Sequence, residues 1–569
     1  MKVSEEDRMD KRLHIPRPTE SPHNGGGRWI CFLFAISLLL ALYVESVATR
    51  RERVVDTWRP LHYSVSIRFN DSLTAIVQAR TEIKARALKN ISQVDLDFGS
   101  LKLESILVNY QVAKFEHKGA VVRIKLPEAQ PRESQFTILA VYSGKPTDGL
   151  ILTADKDGKP SAIGDNWPDR LHHWVPCVDH PSAKASVSFS VTAPEQNLVV
   201  ANGSLDRVEN SGNGTRTWSF SEEAAIPPYC MIIAVGQFAK LDGGKPSSVP
   251  LGFYVPQSDR KYAAKGFSSA AAALKLLTQN VAPYPYEKLA LIVGNTRFGG
   301  MENAGAIVFT STLFNPYPNA RISRAFGTRL GIVDLVAHEI AHQWFGDSVT
   351  ESTWADLWLS EGFATYFSAV FIQRYEGEEA FRDYMKRAAE SYFHYEQRTR
   401  TPIHDRETED LVKLLNPNNY QKGGWVLHML RSILGDDHFF PGIRNYYDLH
   451  KHGVASSEDL RAALEKSSGK NLKDFFARWV YGTGHPHYEV TWSWEKGVLR
   501  VMLLQIQPEP AFPNPLPIEI VTANGRQRVM IEPKSKETTE NLQISSKPLS
   551  IEIDPDDTVL KEISLKTPN

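Results

Sequence analysis

Three residues of one short segment, His338, Glu339 and His342, have the types and the spacing that bind a metal ion. Side chains four residues apart lie on the same face of a helix, so both imidazoles can reach one ion. The carboxylate that follows the first histidine can reach a water molecule on that ion and accept its proton. The flanking residues are largely apolar at helical spacing, and polar side chains buried in such a helix need partners. The alternative is a helix that carries two histidines by chance.

A third ligand is expected from a neighbouring helix, because a catalytic zinc ion takes three protein ligands and leaves the fourth position to water. Glu361 is the candidate, and 18 residues separate it from His342. That interval leaves room for a loop and a second helix that packs on the first. The residues around Glu361 are largely apolar, which argues against a merely solvated glutamate. We therefore predict one zinc ion per chain, bound by His338, His342 and Glu361.

The segments HEIAHQWFGDSVT and WADLWLSEGFATYF resemble the HExxH-x18-E pattern of the M1 family of zinc aminopeptidases, which are gluzincins similar to aminopeptidase N. Two further segments agree with this resemblance and occur in the family's order. The segment 299–303, Gly-Gly-Met-Glu-Asn, resembles the GxMEN exopeptidase motif. The segment 420–424 resembles the one that holds the catalytic tyrosine. The resemblance covers about residues 55–485.

The resemblance implies hydrolysis of the first peptide bond of peptides that have a free N-terminus. Glu339 would be the general base, Tyr420 would stabilise the oxyanion, and Glu302 would pair with the substrate's α-ammonium. The remaining residues of the GxMEN-like segment would contact the substrate: Gly299, Gly300, Met301 and Asn303. Two alternatives stay open, a zinc endopeptidase of related fold and a non-catalytic M1-like binding protein.

Composition is that of an ordinary globular protein, with 569 residues, 42% hydrophobic and 23% charged. The net charge of −1 gives no global field that would favour nucleic acid, and no nucleic-acid partner is expected. Of the three cysteines, Cys177 and Cys230 lie in the body of the chain. We predict two buried free thiols there, with a single disulfide bridge as the alternative.

The N-terminus predicts export. Residues 1–28 are polar and rich in charge, proline and glycine, as is typical of a disordered leader. Residues 29–48 contain a mostly apolar run, which is somewhat shorter than the roughly 20 residues of a comfortable membrane span. We predict a single membrane anchor here with an extracytoplasmic catalytic domain. The alternative is a cleaved signal segment and a secreted or periplasmic protein.

The predicted fold class is multidomain α+β. Alternating strand patterns favour an N-terminal β domain over residues 49–257, and strands return in a small β-sandwich over 486–569. Between them, residues 258–485 favour helices, and the resemblance implies a thermolysin-like zinc catalytic domain. Many family members continue into a long helical domain, which the resemblance leads us to expect to be absent here, because the chain ends at Asn569.

Individual elements can also be predicted. Strands are expected at 62–69 and 185–193, and a turn at 211–214. Single helices are expected over Tyr262–Leu277 and Tyr420–Leu434. The family often places a substrate-binding Gln or Glu near residues 164–170, but this sequence departs from that pattern, so no residue is assigned there.

Overall fold

The computed structural model describes residues 53–315 and 320–566. The predicted leader, residues 1–28, and the apolar segment 29–48 lie outside the described residues. Among the helices of the described ranges, none is both long enough and apolar enough to cross a membrane.

The first part of the described chain is built from β-strands. Its largest sheet has eight strands in the order β13-β14-β11-β1-β2-β8-β4-β5, in which β1 and β11 run parallel. The strands are β1 Trp58–Phe69, β2 Ile76–Ala87, β3 Ile91–Asp97, β4 Lys102–Val108, β5 Gln111–Val112, β6 Lys114–Lys118, β7 Val121–Gln130, β8 Gln135–Gly144, β9 Leu150–Ala154, β10 Pro160–Gly164, β11 Ala185–Pro194, β12 Leu198–Ala201, β13 Ser204–Gly212, β14 Thr215–Ile226, β15 Ile233–Gly236, β16 Ala239–Asp242 and β17 Leu251–Val255.

The alternation of buried and exposed residues explains why these segments form strands of this sheet. Tyr63, Val65 and Ile67 are buried on one side of β1, while Ser66 and Arg68 between and after them are exposed. The predicted strands at 62–69 and 185–193 lie within β1 and β11, and the predicted turn at 211–214 joins β13 to β14. The N-terminal β-rich domain is therefore confirmed.

A helical region follows. Its helices are α1 Arg260–Gly266, α2 Ala270–Asn280, α3 Leu330–His342, α4 Trp358–Glu376, α5 Glu378–Glu396, α6 Gly423–Leu434, α7 Asp436–His450, α8 Ser457–Ser468 and α9 Lys473–Trp479. Its strands are β18 Leu289–Gly294, β19 Gly300–Met301, β20 Ala306–Thr310, β21 Val349–Glu351 and β22 Gly453–Ala455. A five-stranded sheet in the order β16-β17-β18-β20-β19 leaves the short strand β19 at one edge.

Two predicted helices differ from the structure. The predicted helix Tyr262–Leu277 is divided into α1 and α2. At the break, the Phe267 ring turns into the core, 5.1 Å from the Phe253 ring and 5.5 Å from the Phe309 ring. The predicted helix Tyr420–Leu434 begins instead with a π-helical turn, Asn418–Lys422, before α6. Helix propensity does not take tertiary packing into account, and tertiary packing explains both differences.

The C-terminal part returns to strands in two sheets, ordered β27-β24-β23-β29 and β26-β25-β28. The strands are β23 His487–Glu495, β24 Val498–Gln505, β25 Leu516–Thr522, β26 Gly525–Ile531, β27 Glu537–Gln543, β28 Pro548–Ile553 and β29 Glu562–Lys566. Val490 of one sheet and Ile518 of the other are buried in the same hydrophobic cluster. The predicted sequence of β-rich, helical and β-rich regions is confirmed.

Candidate metal centre and active site

The three predicted ligands converge. Helix α3 places His338 and His342 one turn apart, with their Nε2 atoms 3.1 Å from each other. Glu361, in the first turn of α4, brings its Oε2 to 3.2 Å from the first Nε2 and 3.3 Å from the second. Helices α3 and α4 are joined nearby, because the Ser368 hydroxyl donates to the Asp334 carbonyl oxygen at 2.9 Å. Two nitrogens and one carboxylate oxygen in this arrangement match the donor set of a zinc ion.

The ring of His342 is oriented by groups behind it. Its Nδ1 lies 3.1 Å from the Phe345 carbonyl oxygen and 3.0 Å from the Ser360 hydroxyl. Because a carbonyl oxygen only accepts, Nδ1 carries the proton and leaves the lone pair of Nε2 for a metal ion. Gly346 has a φ of +123°, and a Cβ there would lie 2.4 Å from the Ser360 hydroxyl oxygen. A glycine is therefore required beside this hydrogen bond.

The charges of the cluster favour an ionised carboxylate. Burial alone would raise the pKa of Glu361, but the charge of His342 and the hydrogen bonds from His338 and His342 hold that pKa well below its usual range. Burial lowers the pKa of His338, which favours its neutral form. Burial acts in the same direction on His342, but the charges of Glu361 and Glu302 outweigh it and raise the pKa of His342. A carboxylate and a neutral imidazole are the forms that bind zinc, so zinc binding would displace a proton from His342.

Glu339 lies in the same cavity as the ligands, close against Gly300 of strand β19. A Cβ on Gly300 would lie 2.2 Å from the Glu339 Oε1, so only glycine leaves room for this carboxyl group. Burial raises the pKa of Glu339 well above its usual range. A carboxylate whose pKa is raised is a stronger base, and a metal ion beside it would favour its ionised form.

Tyr420 approaches the cluster from the π-helical turn. Its hydroxyl donates to the Glu361 Oε1 at 2.8 Å, and its ring lies parallel to the His338 ring with the centroids 5.9 Å apart. The approach depends on two glycines, because a Cβ on Gly362 would lie 3.0 Å from the backbone of Gly423. Single π turns are frequent at functional sites. The glycine contact allows α4 and the π turn to meet closely enough for this hydrogen bond.

Glu302 is buried in the cavity wall. Burial, reinforced by the Glu361 charge, raises the pKa of Glu302 to about 7. Its backbone is held by Gln343, which directly follows the second ligand histidine: the Gln343 amide nitrogen donates to the Glu302 carbonyl oxygen at 2.6 Å. The Gln343 amide oxygen accepts from the Gly305 N–H at 2.8 Å and from the Tyr284 hydroxyl at 2.9 Å.

Gln343 therefore connects the metal-binding helix to the loop that carries Glu302, and the sequence reasoning did not identify it. The sequence shows an amide residue at the end of an apolar helix, directly after a candidate ligand, and the structure shows that this side chain is fully buried. A buried amide has four hydrogen-bonding positions to satisfy, so it indicates a structured neighbourhood.

These groups surround one cavity of about 470 Å³. The cavity is lined by Trp167, Phe298, Gly299, Gly300, Met301, Glu302, Gly331, Asp334, Leu335, His338, Glu339, His342, Glu361, Thr365, Tyr384, Leu415, Tyr420 and Gln421. All three candidate ligands, Glu339, Tyr420 and Glu302 are thus brought together.

The predicted substrate contacts divide into two groups. Gly299, Gly300 and Met301 line the cavity. Asn303 does not line it: this residue is fully buried, and its amide nitrogen donates to the Met301 carbonyl oxygen at 3.3 Å. The position of Asn303 is that of a residue that shapes the loop.

The segment 164–170, to which no role was assigned, contributes Trp167 to the cavity wall. The Trp167 ring meets the Phe298 ring edge-on, with centroids 5.8 Å apart. Asp165 of the same segment is buried and accepts hydrogen bonds from Arg170 and from Thr296, each at 2.9 Å. Cys177 and Cys230 are buried free thiols, as predicted.

Several curated relatives are similar to this chain. "Probable aminopeptidase 1" of Saccharolobus solfataricus is 28% identical over 411 residues, which are 69% of this chain and 50% of the relative. "Probable aminopeptidase 2" of Sulfurisphaera tokodaii is 28% identical, over 82% of this chain and 59% of the relative. "Leucyl aminopeptidase" of Saccharolobus solfataricus is 25% identical, over 78% and 56%. The chain spans between half and three fifths of the length of these relatives.

The predicted membrane-anchored localisation needs correction. None of the helices in residues 53–315 and 320–566 could cross a membrane. The relatives named above are archaeal aminopeptidases, and none of their names refers to a membrane. Membrane anchoring is therefore not supported. The apolar segment on which that prediction rested lies outside the described residues.

Two family models match successive parts of the chain. The Peptidase M1 N-terminal domain matches residues 59–230, which lie in the β-rich part. The Peptidase family M1 domain matches residues 267–479, which contain the three candidate ligands, Glu339, Glu302 and Tyr420. Together the two models cover more than half of the chain, which therefore belongs to peptidase family M1.

Proposed function

We propose that this chain is a zinc-dependent aminopeptidase that hydrolyses the N-terminal bond of peptides with a free α-amine. The observation that carries the proposal is the composition of one cavity. It contains the candidate ligands His338, His342 and Glu361, the carboxyl group of Glu339 beside them, and the buried carboxyl group of Glu302. The names of the relatives support the same activity.

Zinc fits the three ligands, because their mutual distances and the orientation of His342 match the needs of the ion. When bound, zinc polarises the scissile carbonyl and lowers the pKa of a water molecule. Glu339 accepts the proton of that water and later delivers it to the leaving amine. The space left by Gly300 keeps the Glu339 carboxyl free to move the proton.

Tyr420 stabilises the negative charge that develops on the carbonyl oxygen. In the structure its hydroxyl donates to Glu361, one of the ligands, so it already lies within one hydrogen bond of the cluster. When substrate binds, the hydroxyl turns from the carboxylate to the developing oxyanion. Burial raises the pKa of Tyr420 well above its usual range, so the phenol keeps the proton that it must donate.

Glu302 binds the α-ammonium of the substrate. A charge-assisted hydrogen bond to an ammonium group is roughly twice as strong as a neutral one. It also keeps Glu302 ionised, because a nearby positive charge lowers a carboxyl pKa that burial has raised. An internal peptide bond would bring an uncharged amide to the same carboxylate, which is unfavourable.

The edge strand β19 supports the substrate backbone. It pairs on one side with β20, through Met301 and Val308, and stands at the edge of its sheet. An extended peptide can add to such an edge, with Gly299 and Gly300 admitting close approach. An edge strand next to two metal-binding helices also supports the thermolysin-like arrangement that we propose for this region.

The test compares a peptide that has a free N-terminus with the same peptide acetylated at that amine. The wild type should cleave the free peptide and leave the acetylated one nearly intact. Glu302→Gln should lower kcat/KM on the free peptide by about 10-fold to 10²-fold, since a charge-assisted hydrogen bond contributes about 1.5–3 kcal/mol. The exposed Glu379→Gln is the matched control, and zinc content should be equal in all three proteins.

Equal cleavage of the acetylated and free peptides would replace this proposal with the endopeptidase, which needs the same ligands and base but no ammonium site. Full zinc occupancy without any cleavage would leave the non-catalytic binding protein. The presence of all three ligands and of Glu339 argues against that last alternative.

A further inference from the structure

A second group of metal-ligating side chains lies far along the chain from the active site. His485, His487 and Glu562 offer two imidazole nitrogens and one carboxylate oxygen that all lie within 4.8 Å of one another. The Glu562 Oε2 is 3.4 Å from the His485 Nε2 and 3.1 Å from the His487 Nε2. None of the three lines the large cavity.

Sheet register creates this cluster. Strand β23 begins at His487 and runs parallel to β29, so that His487 stands opposite Glu562. His485 lies two residues before His487, and residues two apart in an extended chain point to the same side. The two rings accordingly stack, with centroids 4.3 Å apart.

A carboxylate behind the cluster orients the His485 ring. The His485 Nδ1 lies 2.5 Å from the Glu396 Oε2, and the Tyr392 hydroxyl donates to the other oxygen of Glu396 at 3.0 Å. A carboxylate oxygen accepts, so the His485 Nδ1 donates to Glu396 and the Nε2 faces Glu562.

Two imidazole nitrogens and one carboxylate oxygen therefore face one another at the edge of the sheet. A carboxylate that fixes the far nitrogen of a histidine is the usual support for a metal-binding imidazole. The Phe393 ring stacks on His485 at 4.2 Å and holds it further in place.

The spacing also suits a metal ion. A tetrahedral ion that is about 2.0–2.1 Å from each ligand holds its ligand atoms about 3.3 Å apart. The distances of 3.1 Å and 3.4 Å to the Glu562 oxygen are close to this value. They also resemble the 3.2 Å and 3.3 Å of the active-site cluster.

We propose that His485, His487 and Glu562 form a second metal site, which binds zinc or another divalent transition metal that accepts imidazole nitrogen. Two nitrogen ligands disfavour magnesium and calcium, which prefer oxygen. The ion ties the last described strand, β29, to the first strand of the C-terminal region. Through Glu396 it also connects both strands to helix α5. Its role is to stabilise this junction.

The test uses the full chain with the active-site ligands removed by His338→Ala and His342→Ala. Metal-free protein is titrated with Zn²⁺ by calorimetry and with Co²⁺ by visible absorption. We expect one Zn²⁺ per chain and the absorption of a tetrahedral Co²⁺ ion. Adding His487→Ala should abolish both signals, and Glu562→Gln should weaken Zn²⁺ binding at least about 10-fold, a loss of about 1.4 kcal/mol. The exposed His394→Ala is the matched control and should change neither.

A Zn²⁺ dissociation constant weaker than about 1 mM in the folded double variant would overturn the proposal and leave a protonated histidine–glutamate pair. If the double variant does not fold, the zinc content of the other proteins decides. Two ions in the wild type and one in His487→Ala would support the second site. One ion in both, or two in both, would reject it.

Discussion

The active-site cluster and the C-terminal cluster contain the same ligand types at nearly the same spacing, but their surroundings differ. The Glu361 side chain is 6% exposed and faces a cavity of about 470 Å³. The Glu562 side chain is 50% exposed and belongs to the sheet edge. The ligand set alone therefore does not define a catalytic centre.

The difference lies in the side chains that stand beside each cluster. Beside the active-site cluster stand Glu339, with space provided by Gly300, and the hydroxyl of Tyr420. Beside the C-terminal cluster, both oxygens of Glu396 already accept hydrogen bonds, from His485 and from Tyr392. A cavity, a carboxyl group and a hydroxyl donor beside the ligands are the features that the proposed catalysis needs, and the C-terminal cluster does not line that cavity.

Replacing Glu339, the proposed general base, should have the largest effect on the difference between the two clusters. Glu339→Gln should lower kcat by about 10²–10⁴-fold, because an amide cannot accept the proton of the water. Metal analysis should show unchanged zinc, since neither cluster loses a ligand. Retention of more than about a tenth of the activity would show that Glu339 is not the general base.

The oxyanion donor should give the next largest effect. Tyr420→Phe removes one hydroxyl and should lower kcat by about 10²–10³-fold with little change in KM, as for other oxyanion donors. Steady-state kinetics on one peptide separates the two constants. A change confined to KM would place Tyr420 in substrate binding instead.

Disturbing the contact between Gly362 and Gly423 should have a smaller effect on kcat. Gly362→Ala places a Cβ 3.0 Å from the Gly423 backbone, so α4 and the π turn must separate. A displacement that moves Tyr420 by a fraction of an ångström should lower kcat by about 10-fold to 10²-fold. Gly424→Ala is the control, because its Cβ would lie closest to the Thr365 methyl group, at 3.2 Å, and 3.7 Å from the nearest backbone atom, the Tyr366 nitrogen. Equal kcat values for the two variants would show that the backbone contact does not position the tyrosine.

The smallest effect on turnover is expected at the C-terminal cluster. His487→Ala should change kcat/KM by less than about twofold, or about 0.4 kcal/mol. The stability of the two proteins should respond differently to metal. Zinc at about 100 times its Kd should stabilise the wild type by about 2.7 kcal/mol more than it stabilises the variant. Thermal unfolding with and without zinc measures the difference. A large loss of kcat/KM would show that the two clusters are coupled.

Local patterns were sufficient for several parts of this protein. Helical periodicity places His338 and His342 on one face, and the apolar flanks of Glu361 predict a ligand rather than a solvated side chain. Alternation located strands such as β1, because an exposed and a buried face impose a period of two. These features depend on residues near one another in the chain, which is why they can be read without a structure. The catalytic roles assigned to Glu302 and Tyr420 stay predictions.

Only the tertiary structure decided which distant residues meet. The π turn and the contact between Gly362 and Gly423 depend on how two helices pack, and helix propensity predicts neither. The Gln343 amide can hold the loop of Glu302 only because the fold brings that loop beside it. His485 and Glu562 are 77 residues apart in the chain, and the parallel register of β23 and β29 brings them together. Such contacts are set by long-range packing, whereas sequence periodicity encodes only which face of each element is buried.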